Sequence, residues 1–312
     1  MSSVYCNLRI GGEVIKRRGV YMNRESDKQS GKSTLLGYVW AILAVIGIHT
    51  FLYQPYSIPS GSMMPTLLVG DFLFVNKFSY GYSRYSAFLQ PKFIKGRINI
   101  GTPNRGDVAV FFHEFTYENE AEHYDHGVLN GLFSRTWRRI RSAIGCPLEG
   151  VNYVKRVIGL PGDRIQMKEG KLYINGEEVK LEYVDTYPLN EPNMPPIAKR
   201  YIETLPNGVR HYILKAFPFG KAHLDNTEEF VVPEGHYFMM GDNRDNSCDS
   251  RERNIVGDIP NGRFIGVPSF LYFSTEATLF QPHKWIFLIR WQRLFDAYIK
   301  KLRRPFQANL YV

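Results

Sequence analysis

Cysteine is scarce in this chain of 312 residues, which contains three: Cys6, Cys146 and Cys248. No C-x-x-C pair occurs, and this absence excludes a zinc ribbon and a thioredoxin-type redox motif. Three scattered cysteines do not make the framework of a small disulfide-bonded protein. Cys146 and Cys248 could pair, but the simpler interpretation is free thiols that pack as small apolar groups.

Several motifs of hydrolases and metalloenzymes are also absent. The chain has no G-x-S-x-G and no S-x-x-K, and His113-Glu114 is followed by Tyr117 where a zinc protease needs its second histidine. His123 and His126 lie in a polar stretch without evident further ligands, so we predict no metal site there. No zinc-finger spacing or RNP-like aromatic run indicates nucleic-acid binding.

Charged residues are missing from Ser33 to Gly70. Within this stretch residues 35–53 are almost all apolar and would span roughly 28 Å as a helix, about one hydrocarbon core. A buried core helix would carry a polar stripe, and a cleavable signal peptide would follow a shorter start than the 34 residues found here. We therefore predict one retained transmembrane helix over residues 35–53.

The net charge of +9 is distributed unevenly around this helix. Six basic residues lie between Lys16 and Lys32, and the first one after the helix is Lys77. The positive-inside rule then places residues 1–34, a basic and poorly ordered tail, in the cytoplasm. The rest of the chain is predicted to be extracytoplasmic, with the lipid bilayer rather than nucleic acid as its anionic partner.

Residues 54–273 are rich in β signals. Asn175-Gly176 between short β-prone segments is a strong hairpin signal, and helical periodicity is nearly absent. The fold class is therefore predicted to be mainly β, a coiled or barrel-like antiparallel domain. The predicted strands are 71–78, 107–112, 153–160, 170–179 (as a hairpin), 230–232, 236–240 and 264–273.

Three stretches depart from this pattern. Residues 113–150 form an insertion in which 132–144 has the spacing of an amphipathic helix, and residues 183–227 are Pro-rich and predict an inserted, loop-rich subdomain. Residues 274–312 form a basic extension with apolar residues at helical spacing from Leu288 to Leu302. That helix would lie on the membrane interface or dock on the domain, and both alternatives remain open.

Three blocks could carry chemistry. Pro59-Ser60-Gly61-Ser62 is a rigid loop suited to a serine nucleophile, although an ordinary polar turn has the same composition. Lys155 lies in an apolar strand beside Arg156, so one of the two should point inward. A buried lysine has a lowered pKa and can act as a base, unless both cations reach the solvent. Residues 241–251 are dense in short polar side chains and predict either a turn or a network around a buried amine.

These blocks resemble the bacterial type I signal peptidases, also called leader peptidases. The matching stretches are PSGSMMPTLLVGDFLFVNKFSYG at 59–81, RGDVAVF at 105–111, YVKRVIGLPGD at 153–163 and GDNRDNSCDSR at 241–251. The resemblance implies a serine endopeptidase that cleaves signal peptides from exported preproteins after small residues. It implies no metal and no cofactor, a bacterial cytoplasmic membrane location, and an association with export machinery.

The resemblance also assigns roles to residues. It implies Ser62 as the nucleophile, Lys155 as the general base, Ser60 as an oxyanion donor and Ser247 as the residue that orients the lysine. Four charged residues are implied to brace the site: Asp242, Arg156, Asp249 and Arg251. Two departures are a single membrane helix where well-known members have two, and Cys248 where alanine is common. A specialised protease with few clients and a non-catalytic peptide-binding domain remain as alternatives.

Overall fold

A computed structural model describes residues 5–10, 13–18, 24–86, 96–114, 150–276 and 288–294, with the backbone alone through residue 32 and at residues 49 and 50. The described helix is α1, Arg24–Phe51. The described strands, in chain order, are β1 Tyr5–Ile10, β2 Glu13–Arg18, β3 Tyr53–Ser57, β4 Asp71–Asn76, β5 Gly81–Ser83, β6 Arg97–Asn99, β7 Val108–Glu114, β8 Gly150–Gly159, β9 Arg164–Lys168, β10 Lys171–Ile174, β11 Glu177–Glu178, β12 Lys180–Pro188, β13 Ile197–Thr204, β14 Arg210–Lys215, β15 Phe230–Val231, β16 His236–Met240, β17 Ile259–Pro260 and β18 Phe264–Ser274.

The chain divides into two units, residues 1–47 and 48–312. In the first unit β1 and β2 form an antiparallel hairpin, and α1 begins at Arg24. The prediction of a poorly ordered tail is therefore wrong for these residues. The sequence does contain a signal for this hairpin, since Gly11-Gly12 separates two β-prone segments. None of the described helical segments is both long and apolar enough to cross a membrane.

The second unit contains an antiparallel sheet with the order β17-β16-β8-β7-β18-β4-β3. The prediction of a mainly β, antiparallel domain is confirmed. Each predicted strand corresponds to an observed one, with ends that differ by at most three residues. The hairpin at Asn175-Gly176 is also confirmed, since both residues have positive φ and Ile174 pairs with Glu177.

A separate sheet occupies the region predicted to be loop-rich. Strands β12, β13 and β14 form a three-stranded antiparallel sheet, so the prediction for residues 183–227 is wrong over residues 183–215. The Pro-rich residues form the connection between β12 and β13, and the composition of that connection does not represent the whole insertion. The sequence did not indicate these strands because many of their residues are polar and face the solvent. Which residues face inward becomes clear only when the neighbouring strands are known. Two further sheets have the orders β11-β10-β9-β15 and β5-β6.

Both faces of the central strands β7 and β8 are covered by apolar side chains. In β7, Val108 and Val110 pack into one hydrophobic cluster and Ala109 and Phe111 into another. Strand residues alternate between faces, so two consecutive residues of β8 can both be buried, one in each layer. This arrangement is what removes the side chains of the basic pair in β8 from water.

The C-terminal extension differs from its prediction where it is described. Ile289 bridges Thr275, the N–H of Arg290 donates to the carbonyl of Ser274 (2.9 Å), and a single 3-10 turn covers Trp291–Arg293. A helix therefore does not begin at Leu288, because backbone pairing to the end of β18 holds this segment extended. The remainder of that predicted helix, the predicted helix 132–144 and the His123–His126 pair lie outside the described residues.

Candidate active site

Ser62 lies in a 3-10 turn, Gly61–Met63, between β3 and β4. Ser62 is partly exposed and Ser60 is exposed, and their hydroxyl oxygens are 3.4 Å apart. Asn243 fixes this turn from the side: its backbone N–H donates to the carbonyl of Ser62 (3.1 Å) and its amide donates to the carbonyl of Gly61 (3.1 Å). The serine loop, residues 59–66, is thus held by hydrogen bonds to its backbone carbonyl groups, while the hydroxyl groups of Ser60 and Ser62 remain accessible.

Lys155 is 2% exposed, and its Nζ donates a hydrogen bond to Oγ of Ser247 at 3.0 Å. Its nitrogen also lies 5.6 Å from the ring centre of Tyr153. Burial lowers the pKa of Lys155 to about 8, and the negative charge of Asp249 offsets only part of this effect. The alternative in which this lysine reaches the solvent is excluded.

The serine loop and the lysine meet at Gly241, the first residue after β16. A Cβ atom built on Gly241 would lie 2.1 Å from Oγ of Ser247 and 2.6 Å from the carbonyl oxygen of Ser62. Strand β8 carries Lys155. Some Cα atoms of this strand lie within 8 Å of Cα atoms of the 3-10 turn that contains Ser62. Ser62, Ser247 and Lys155 therefore lie close together around Gly241.

Asp249 and Arg251 form a buried ion pair behind Ser247. Arg251 donates from Nε to Oδ1 of Asp249 (2.8 Å) and from Nη2 to Oδ2 (2.9 Å). The N–H of Gly241 also donates to this carboxylate (2.9 Å). Burial raises the pKa of Asp249, but the guanidinium of Arg251 outweighs burial and keeps the pKa below its usual value. The pair closes the 241–251 loop on itself and fixes the place of Ser247.

Arg156 and Asp242 form a second buried pair, on the opposite face of β8. Arg156 donates from Nε to Oδ1 (2.8 Å) and from Nη2 to Oδ2 (2.6 Å), and from Nη1 to the carbonyl of Gly106 (2.7 Å). Thr66, four residues after Ser62, donates its hydroxyl to the same carboxylate. Asp242 therefore connects the serine loop to the strand that carries Lys155.

Sequence reasoning missed a third pair, which reaches the site from the inserted sheet. Arg244 donates to both carboxylate oxygens of Glu203 (2.8 and 2.5 Å). His211 lies opposite Glu203 in the pairing of β13 and β14, with Nε2 3.3 Å from that carboxylate. Burial, and then the charge of Arg156, lowers the pKa of His211. Neither Glu203 nor His211 has a local sequence signal, because their proximity to residues 241–251 depends on strand pairing.

Cys248 is half-buried and is not part of a disulfide, and its side chain packs against the apolar cluster that contains Val157 and Met239. This agrees with the simpler interpretation from the sequence for Cys248, while Cys146 lies outside the described residues.

Residues 32–273 match the family model described as "Signal peptidase, peptidase S26". The signal peptidase I of Rickettsia typhi is 34% identical over 294 residues, which cover 88% of this chain and 97% of that protein. The signal peptidase I of Rickettsia prowazekii is 33% identical, with the same two shares. A solved signal peptidase I from Enterococcus faecalis is 23% identical, with 53% of this chain and 95% of that chain covered and a TM-score of 0.24. This chain belongs to the signal peptidase family, peptidase S26.

Proposed function

We propose that this protein is a signal peptidase I that removes signal peptides from exported preproteins, with Ser62 as the nucleophile and Lys155 as the general base. The observation that carries the proposal is the amine of Lys155, buried beside the serine loop and hydrogen-bonded to a neutral hydroxyl. A lysine must be deprotonated, and therefore uncharged, to accept a proton, and burial favours the uncharged amine.

The reaction would proceed through an ester. Neutral Lys155 takes the proton of the Ser62 hydroxyl, and the serine oxygen attacks the scissile carbonyl to give a tetrahedral oxyanion. Its collapse forms the acyl-enzyme and breaks the peptide bond, and the protonated lysine gives its proton to the leaving amine. A water molecule, deprotonated by the same lysine, then hydrolyses the ester and releases Ser62.

The oxyanion would be stabilised by the Ser62 N–H and the Ser60 hydroxyl. The first N–H groups of a helical turn have no partner within the turn, and Ser62 is the second residue of a 3-10 turn. The Ser60 hydroxyl is exposed and within 3.4 Å of the nucleophile oxygen. Preorganised donors of this kind contribute about 3 to 4 kcal/mol each to transition-state stabilisation.

The remaining site residues would support the pair. Ser247 orients the amine of Lys155 through a neutral hydroxyl. A negatively charged partner in its place would hold the lysine protonated. Asp249 and Arg251 keep the 241–251 loop in shape, and the buried pair of Asp242 and Arg156 holds the serine loop against β8. Charged groups that are neutralised by each other leave the amine in an environment that favours its neutral form.

The substrates would be preproteins whose signal peptide ends in small residues, bound in an extended conformation along a strand edge. Residues 35–53, which run from α1 into the first residue of β3, would anchor the protein in the cytoplasmic membrane of a bacterium, with the N-terminus in the cytoplasm and the catalytic domain outside. Large apolar side chains from Leu35 to Ile48 are exposed, and Phe51 and Tyr53 supply exposed aromatic rings at the end of this segment, as at membrane interfaces. This location would bring the site to precursors delivered by the export machinery.

Cleavage of a model preprotein by the full chain in phospholipid vesicles tests the proposal. Ser62→Ala and Lys155→Ala should each reduce cleavage at least about a thousandfold, since each removes a group that reacts. Lys171→Ala is the matched control, because Lys171 is an exposed lysine on the β10–β11 hairpin. Turnover by either site variant at a tenth of the wild-type rate would refute the assignment. A mixed pool of precursors separates a general enzyme from one with few clients.

A further inference from the structure

Glu191 reaches the serine loop from the inserted sheet. It lies in the connection between β12 and β13, it is half-buried, and a Cβ atom built on Gly61 would lie 2.2 Å from its Oε1 and 2.6 Å from its Cδ. Gly61 stands between Ser60 and Ser62. The carboxylate of Glu191 is therefore directly beside the residues proposed to hold the scissile carbonyl.

The connection that carries Glu191 is anchored on both sides. The N–H of Leu189 donates to the carbonyl of Pro196 (2.8 Å), and the N–H of Met194 donates to the carbonyl of Glu191 (3.3 Å). Leu189 is buried in an apolar cluster against which Met64 of the serine loop packs. The same contacts that fix the connection thus place it on the serine loop.

The charge of Glu191 is available to a ligand. In the part of the chain that the structure describes, no lysine, arginine or histidine nitrogen lies within 4.0 Å of its carboxylate. A half-buried charge is screened less than one in open water, so it acts more strongly on a charged group placed next to it. Like charges brought together at an interface oppose binding, and opposite charges favour it.

We propose that Glu191 is a specificity-determining residue that discriminates precursors by the charge of the side chains flanking the scissile bond. It rejects an anionic side chain at the position that approaches Gly61 and favours a cationic one there. This inference rests on the proposed function, since a peptide bound at Ser62 is what brings such a side chain to Glu191. Discrimination of this kind acts by repulsion of the wrong substrate as well as attraction of the right one.

A charge-swap experiment tests this inference. The full chain in vesicles is given a set of precursors that differ at one position each. The varied positions are the three before the cut and the three after it, and each carries alanine, lysine or glutamate in turn. The value of kcat/KM is measured for every precursor. Wild type should cleave the lysine substrate about fivefold faster than the glutamate substrate at one or more positions. Glu191→Gln, which keeps the size of the side chain, should bring that ratio close to one, and Glu191→Lys should invert it.

Glu177→Gln is the matched control, since Glu177 is an exposed glutamate in β11. It should leave every ratio unchanged. A charge ratio that is the same in wild type and Glu191→Gln at all positions would overturn the inference, as would an equal change in the control. Failure of wild type to cleave even the alanine substrates would instead refute the proposed function, so the two outcomes are distinguishable.

Discussion

Lys155 and Arg156 are consecutive in one strand and both are buried, yet only Arg156 has a carboxylate as its direct partner. Arg156 is paired bidentately with Asp242, whereas the amine of Lys155 donates to the hydroxyl of Ser247. Within the described residues no carboxylate oxygen lies within 4.0 Å of the Lys155 nitrogen. The charge of the arginine is therefore balanced by its carboxylate partner, and the lysine is left free to lose its proton.

The pH dependence of cleavage follows from this difference. Lys155 has a pKa of about 8, below its ordinary value of 10.5 because of burial, and its neutral form is the proposed base. Below pH 8 the neutral fraction falls tenfold for each unit of pH, so kcat/KM should rise with pH and level off above about 8. Initial rates measured on a model preprotein from pH 6 to 10 would show this curve. A midpoint close to 10.5 would mean that the base is a solvated lysine and would contradict the assignment.

Replacement of the buried amine should change stability in a pH-dependent manner. The pKa of Lys155 is lowered on folding, so burial of its charge opposes folding at neutral pH. The difference between 10.5 and about 8 corresponds to roughly 3 kcal/mol. Lys155→Met should therefore gain stability relative to wild type below pH 8, less the cost of leaving the Ser247 hydroxyl without this partner.

The sign of that prediction can be checked by raising the pH. Between pH 8 and 10.5 the unfolded wild-type chain binds a proton that the folded chain has released, so wild-type stability rises with pH and the advantage of Lys155→Met declines. Urea unfolding of both proteins at pH 7 and pH 10 measures it. An advantage that is constant across this range would show that Lys155 does not titrate with a lowered pKa.

Much of the candidate site could be predicted from the sequence because its residues are concentrated in short contiguous blocks. Ser60 and Ser62 lie in one loop, and residues 241–251 form one polar segment after a strand whose bounds were predicted correctly. Local turn chemistry identified Asn175-Gly176 for the same reason, since a two-residue hairpin depends on neighbouring residues alone. The roles of these residues came from the resemblance and stay proposals.

The contacts that could not be predicted depend on pairing between distant segments. The sequence indicated that one of Lys155 and Arg156 points inward, but both are buried because each face of β8 is covered by a different layer. Glu203 meets Arg244 only through the register of β13 and β14, which polar composition concealed. Register is set by which face is buried, and a strand with polar residues on both sides gives no local sign of it.

A single methyl group at Gly241 should disable the site. The Cβ of Gly241→Ala would fall 2.1 Å from Oγ of Ser247 and 2.6 Å from the carbonyl oxygen of Ser62, so one or both groups must move. A displacement of about 1 Å in a catalytic group costs on the order of a hundredfold in rate. We expect kcat/KM on a model preprotein to fall by about that factor while circular dichroism stays unchanged.

Gly262→Ala provides the control, because a Cβ on Gly262 meets no atom within 4 Å. It should cleave at the wild-type rate. If Gly241→Ala were also fully active, the close approach of the serine loop and Ser247 at this glycine would not be needed for catalysis.

Loss of the Asp242 charge should lower the free energy of unfolding of the whole domain, and not only the rate of the reaction. Asp242→Asn leaves the buried guanidinium of Arg156 without its counter-charge and weakens the hydrogen bond from Thr66. Removal of one partner of a buried pair costs about 3 to 5 kcal/mol, whereas an exposed pair contributes little. Urea unfolding should therefore show a much lower midpoint for Asp242→Asn and almost no change for Glu178→Gln, which breaks the exposed pair with Lys171. Equal, small effects of the two variants would mean that water reaches Arg156 in solution, and β8 would then not be sealed on the face opposite Lys155.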